Sequence, residues 1–157
     1  MRVAVLALVS LVVSLGACGD GGGGGGPDCG GVEGSEVCEV FRLVNEERRS
    51  AGLEPYAWDR HLAVSAQRHA EDMAENGYFS HTSQDGRSFV DRTLEAGYDA
   101  SPRGENIAQG YRTAADVMEG WMSSEGHRAN ILAGGSNEIG IGLRDFHWVQ
   151  VFGTRAE

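Results

Sequence analysis

The stretch Ile139–Phe152, IGIGLRDFHWVQVF, changes the period of the chain. Ile139, Ile141 and Leu143 alternate with Gly140 and Gly142. Trp148, Gln150 and Phe152 then alternate with His147, Val149 and Val151. Such alternation sends successive side chains to opposite faces of an extended strand. Arg144-Asp145 lies near the turn, so the stretch predicts an antiparallel hairpin. The two glycines leave one face of the first strand bare, which predicts that another element packs closely there.

Upstream the pattern is helical. Val37, Val40, Phe41, Val44 and Ala51 recur at helical spacing, and Gly52 ends that helix. EPYAWD reads as a turn. A second helix starts near Trp58, where Trp58, Leu62, Ala66, Ala70 and Met73 form one apolar stripe, and Asn76-Gly77 stops it. Phe89, Val90, Thr93 and Leu94 mark a third, ended by Gly97. Ala114, Val117, Met118, Trp121 and Met122 mark a fourth, with Thr113 as N-cap and Asp116 in its first turn. GENIAQG, Gly104–Gly110, reads as a further short strand. Helices and an antiparallel sheet in one compact chain give an α+β layered fold.

The N-terminus reads differently. One positive charge at Arg2 precedes an apolar run from Val3 to Val13, broken only by Ser10. That is a secretory signal pattern, too short for a comfortable transmembrane span. LGAC, Leu15–Cys18, resembles the bacterial lipobox, which implies cleavage before Cys18 and lipidation of that cysteine. Residues 1–17 are then the signal peptide. Residues 18–35 are a lipidated cysteine and a glycine-rich linker, reaching roughly 20–25 Å. The domain is 36–157. Cys29 and Cys38 remain as an even pair in an oxidising compartment, so a local disulfide is expected. The expected location is the cell envelope, anchored to a membrane through Cys18 and facing the periplasm or exterior. A formal net charge of −10, with 13 arginines and no lysine, offers no basic run for nucleic acid.

Five histidines are candidates for chemistry. His81 follows NGYFS at a helix end, and His127 lies in the SSEGHR break. His61, His69 and His147 fall inside regular elements and read as structural or solvent-facing on pattern alone. Glu105 stands between Gly104 and Asn106 at the entry to a strand. Glu125 continues the stripe of Met118 and Trp121, where a buried unpaired carboxylate would be costly. Either the helix breaks and frees it, or a partner waits inside. Gly126 permits a break, after which His127 turns back toward the same region.

Taken together, YFSH, GENI, WMSSEGHRANIL, IGIG and HWVQVFG resemble the CAP superfamily of cysteine-rich secretory, antigen 5 and pathogenesis-related 1 proteins, in its bacterial SCP-domain lipoprotein branch. The likeness runs from about Cys38 to Gly153. It implies an α-β-α sandwich with a central antiparallel sheet and a large cleft lined by two histidines and two acids. His81 matches the first histidine and Glu105 the first acid. HWVQ matches the strand opened by the second histidine, which assigns that place to His147. His127 belongs to the GHR motif of bacterial members and is expected near the same cleft. The second acid departs from the pattern: its position holds Ser124, and Glu125 follows.

Neutral imidazoles beside a carboxylate suit a divalent metal such as zinc, with His81, His147 and Glu105 as ligands and His127 in reserve. The resemblance therefore admits three functions. One is a membrane-anchored module that binds a small-molecule, lipid or cell-wall ligand, or a metal, in the cleft. Another is a metal-dependent, protease-like hydrolase using the same residues. The third is an envelope scaffold in which the cleft residues form a structural network. HExxH and GxSxG are both absent from the sequence, and enzyme activity stays open at this point.

Overall fold

The computed structural model describes Cys29 and residues 35–156. The expected signal peptide, Cys18 and most of the expected linker lie outside the described residues. Among the described residues, no helix is long and apolar enough to cross a membrane.

Among the described residues, nine elements follow one another: α1 (Glu36–Ser50), β1 (Ala57–Trp58), α2 (Arg60–Asn76), α3 (Phe89–Glu95), β2 (Ser101–Gln109), α4 (Ala114–Ser123), α5 (Glu125–Ile131), β3 (Glu138–Arg144) and β4 (His147–Thr154). The helices begin where local chemistry lets them. Ser35 caps α1 by accepting from the Cys38 amide, Asp59 caps α2 by accepting from His61 and Leu62, and Ser88 and Asp91 close a capping box on α3. Gly77, left-handed at φ 66°, ends α2. Trp58 precedes α2 and belongs to β1, so the buried stripe of α2 starts at Leu62. Cys29 and Cys38 are joined by a disulfide, which ties the chain ahead of α1 to its first turn.

The sheet runs β1-β3-β4-β2. β4 pairs antiparallel with β2 and with β3, while β1 runs parallel to β3. The expected antiparallel sheet is thus mixed at one edge. β1 is too short to show alternation. Its pairing is prepared by Asn45, whose side-chain amide bonds both the carbonyl and the amide of Tyr56.

Side-chain parity splits the sheet into two buried faces. Val149, Val151 and Ile107 pack against Leu62, Ala66, Ala70 and Met73 of α2. Trp148, Phe152, Ile139 and Ile141 pack against α1, α4 and α5 on the other side. The result is an α-β-α sandwich. Gly140 and Gly142 share the α2 face with Val149 and Val151. A Cβ at Gly140 would lie 2.0 Å from the Ala63 amide nitrogen, and one at Gly142 would lie 2.4 Å from that of Gln67. Helix and strand meet backbone to backbone there, the close approach that the bare face predicts.

The far side has its own joint. The buried Arg48 guanidinium donates to the carbonyls of Glu54, Ile131 and Ala133. It lies 3.6 Å from the centroid of the Tyr56 ring. It thus ties α1 to the C-terminal end of α5, where carbonyls lack helical donors.

Gly140→Ala is expected to destabilise the domain by about 3 kcal/mol, because the methyl would meet backbone that cannot move aside. Urea unfolding of both proteins measures this; an unchanged midpoint would mean that α2 is not seated as described.

Candidate functional site

His81 sits on the loop that follows α2, and two buried side chains hold that loop from behind. His69, on α2 and fully buried, places Nε2 2.9 Å from the Ser80 carbonyl and therefore donates to it. Arg92, on α3, donates from Nη1 to the His81 carbonyl, the Ser83 hydroxyl and the Arg87 carbonyl. The backbone on both sides of the His81 side chain is thereby pinned.

Glu105 comes from β2, an edge strand that starts irregularly around Pro102. Its side chain is 1% exposed. One oxygen accepts from Arg92 Nη2 at 2.6 Å, and the other lies 2.9 Å from His81 Nδ1. Facing a carboxylate, Nδ1 carries the proton. That leaves Nε2 as the acceptor of an imidazole whose side chain is 56% exposed. Buried Arg92 fixes Glu105, and Glu105 fixes an accessible His81 in one tautomer.

His127 joins from the other side. α4 ends at Ser123, Ser124 is extended at φ −97° and ψ 121°, and α5 begins at Glu125. The break therefore falls at Ser124, and Gly126 lies within the new helix. Asn106 Nδ2 donates to the His127 carbonyl and to Gln150 Oε1, while Asn130 Nδ2 donates to Asn106 Oδ1. This amide network docks α5 on β2. His127 is held below the ordinary histidine value, first by burial and then by the charge of His81, so the two rings are electrostatic neighbours.

The other two expected site residues stand elsewhere. His147 pairs with Gln109, whereas Glu105 pairs with Val151. The two share a face of the sheet, but four residues of strand at ~3.3 Å each put them about 13 Å apart. The His147 ring is instead occupied by Gln109 at 2.9 Å and the Asp145 carbonyl at 3.1 Å. Glu125 is exposed in the first turn of α5. It makes no hydrogen bond or ion pair with His127 among the described residues, because side chains two apart on a helix diverge. Met118 and Trp121 are buried as the stripe predicts, but the break at Ser124 rotates Glu125 out of that stripe.

The CAP model, described as the cysteine-rich secretory protein family, matches residues 41–152, well over half of the chain. The chain belongs to the CAP family. Two Bacillus subtilis (strain 168) relatives are each 39% identical, over 114 and 116 residues. They are named uncharacterized membrane protein YlbC and uncharacterized protein YkwD. Each alignment covers 73% of this chain but only 33% of YlbC and 45% of YkwD, so the chain spans less than half of either relative's length. Among solved structures, an extracellular SCP-domain protein of Bacillus anthracis str. Ames superposes with a TM-score of 0.74 at 33% identity. The match covers 76% of this chain and 40% of that one. An outer surface protein of Borrelia burgdorferi gives 0.68 at 23% identity, over 77% of this chain and 93% of that one, a likeness of fold.

Within this CAP domain the expected zinc ligands do not form a set. Three protein ligands that converge on one point are needed. His81 turns its Nδ1 to Glu105, whose oxygens already hold His81 and Arg92, and His147 is remote. Among the described residues, no group of three or more His, Cys, Asp or Glu side chains could hold a metal ion. The donors present do not fit the metal that the resemblance implies.

Arg92 and His69 are the members that sequence reasoning misses. Arg92 looks like any arginine on a short amphipathic helix, and the pattern around His69 gives no sign of its link to Ser80. Burial holds the His69 imidazole below its ordinary value of 6.5; Glu105 pulls it up and Arg92 pushes it down. A folded value below the unfolded one means that the unfolded chain binds more protons in between. Stability is therefore complete above about pH 6.5 and is lost as pH falls from there toward the folded value. His127 acts in the same direction. The CAP domain should lose urea resistance between pH 7 and pH 5, with a shallower loss in His69→Gln, which keeps a donor for Ser80. Equal slopes in the two proteins would remove His69 as a source of the effect.

Proposed function

We propose that the chain is an envelope-tethered CAP domain that captures a ligand at His81, with His127 beside it and Glu105 and Arg92 behind. The observation that carries this reading is the exposed His81 imidazole held by the Glu105–Arg92 ion pair, whose side chains are 1% and 5% exposed. A fixed ring with a free acceptor nitrogen recognises a hydroxyl or amide donor at little further ordering cost. The carboxylate behind it is already neutralised by Arg92, which suits holding better than repeated proton transfer. The names of relatives agree with an envelope location, since one is called a membrane protein and another an extracellular protein. The lipobox-like LGAC at Leu15–Cys18 supplies the tether in this reading.

Native mass spectrometry of the mature chain, taken from its own membranes in mild detergent, tests the capture. The parent is expected to carry a non-covalent small molecule that His81→Ala loses. Zn²⁺ titrated into both should bind them alike; tight binding confined to the parent would replace capture by metal chemistry and return the hydrolase reading. The tether is tested separately. Cys18→Ser is expected to move the chain from the membrane fraction to the soluble fraction and to abolish incorporation of labelled palmitate. Membrane retention of that variant would remove lipidation from the proposal.

A further inference from the structure

A second concave region lies away from His81. It is a groove of about 640 Å³ between the segment 110–112 and one face of α4, lined by Tyr111, Arg112, Asp116, Glu119, Gly120 and Ser123. Its volume falls in the range of small-ligand sites. None of the residues pinning His81 lines it.

Two unfavourable local choices occur here, one lining the groove and one flanking it, and both display an aromatic ring. Gly120 sits inside α4, where glycine is a poor helix former. A Cβ there would come within 2.5 Å of the Tyr111 hydroxyl oxygen, so the glycine exists to let Tyr111 lie on the helix. The β3–β4 turn is the second choice. Asp145 and Phe146 both have positive φ, 44° and 61°, the demand of a two-residue hairpin that Asn-Gly meets most easily. They are the non-glycine residues with positive φ among those described. A phenylalanine is held there, 45% exposed, and strain of this kind persists where the surroundings enforce it.

The surroundings do enforce it. The Gly110 amide donates to the Phe146 carbonyl at 3.0 Å. Trp148 Nε1 donates to the Tyr111 carbonyl at 2.8 Å. Gln109 Nε2 donates to His147 Nε2, which puts the His147 proton on Nδ1, facing the Asp145 carbonyl. Arg112 lies 5.4 Å from the centroid of the Phe146 ring and also lines the groove, joining the two aromatic displays.

The chemistry of the walls selects the occupant. Asp116 and Glu119 oppose an anion, and Arg112 opposes a cation. The polar rim opposes an acyl chain. Exposed aromatic faces flanked by carboxylate acceptors and by guanidinium and hydroxyl donors fit a neutral ring that is apolar on its faces and hydroxylated at its edge. We infer that this groove binds a neutral saccharide, with Tyr111 as the stacking surface inside it, Phe146 as a flanking surface beyond Arg112, and Arg112, Glu119 and Ser123 as hydroxyl partners.

The test is a titration of the full mature chain with N,N′,N″-triacetylchitotriose and, separately, with maltotriose, followed by NMR. At least one sugar should shift the signals of Tyr111, Glu119 and Ser123. Tyr111→Ala should weaken binding at least about tenfold, as loss of a central aromatic anchor does. His81→Ala should leave it unchanged, which separates this site from the one above. Phe146→Gly gives the sharper result: binding should weaken several-fold while the melting temperature rises, because glycine relieves the turn. No shift by either sugar at millimolar concentration would overturn the proposal. So would equal binding in Tyr111→Ala, or a lower melting temperature in Phe146→Gly, since the ring would then be there for stability.

Discussion

The site depends on a place where no side chains intervene. At Gly140 and Gly142 the backbone of β3 lies directly beneath α2, and this fixes how deep α2 sits on the sheet. The depth of α2 sets the position of His69, and the bond from His69 to Ser80 sets the loop that carries His81. A contact that looks like simple packing thus reaches the exposed imidazole in two steps. Side chains can adjust by rotating, whereas backbone in contact with backbone cannot, so the loop inherits the rigidity of the sheet.

The second element of the arrangement is electrostatic. Glu105 and Arg92 are both removed from water, and a pair of this kind is weak evidence of net stabilisation because desolvation offsets most of the attraction. Its value here is geometric. Arg92 directs Nη1 to three groups of the 81–87 loop, so one buried cation orients the carboxylate and the loop together. His81 and Glu105 come from segments 24 residues apart, and α3, lying between them in the chain, bears the residue that bonds both.

Much of this is legible in the sequence. The glycine face of β3, the stripe of α2 and the hairpin follow from periodicity, because each repeats over enough residues to be seen. β1 does not, since two residues have no period. His81 and Glu105 are reached through the family likeness and not through any local pattern. The likeness also draws His147 toward the site. Parity in a strand gives the face of a residue but says nothing of distance along it, and His147 shares the face of Glu105 four residues farther along. His127 is close to hand as a reserve, and the helix break at Ser124 makes it the second histidine near His81. The same break resets the helical phase, which turns Glu125 outward and leaves His127 beside His81. Arg92 carries no signal, because burial of a cation depends on partners that fold in from elsewhere.

The two ends of the sandwich are joined by different kinds of bond. Arg48 binds only carbonyl oxygens and a ring face, and none of these partners gains a proton in mild acid. The His81 loop hangs in part on His69, whose imidazole burial holds below its ordinary value. Acidification therefore acts on the molecule unevenly. The His81 loop loosens while the α1–α5 joint keeps its contacts, so under the proposed capture mild acid would release a ligand from a domain that stays folded.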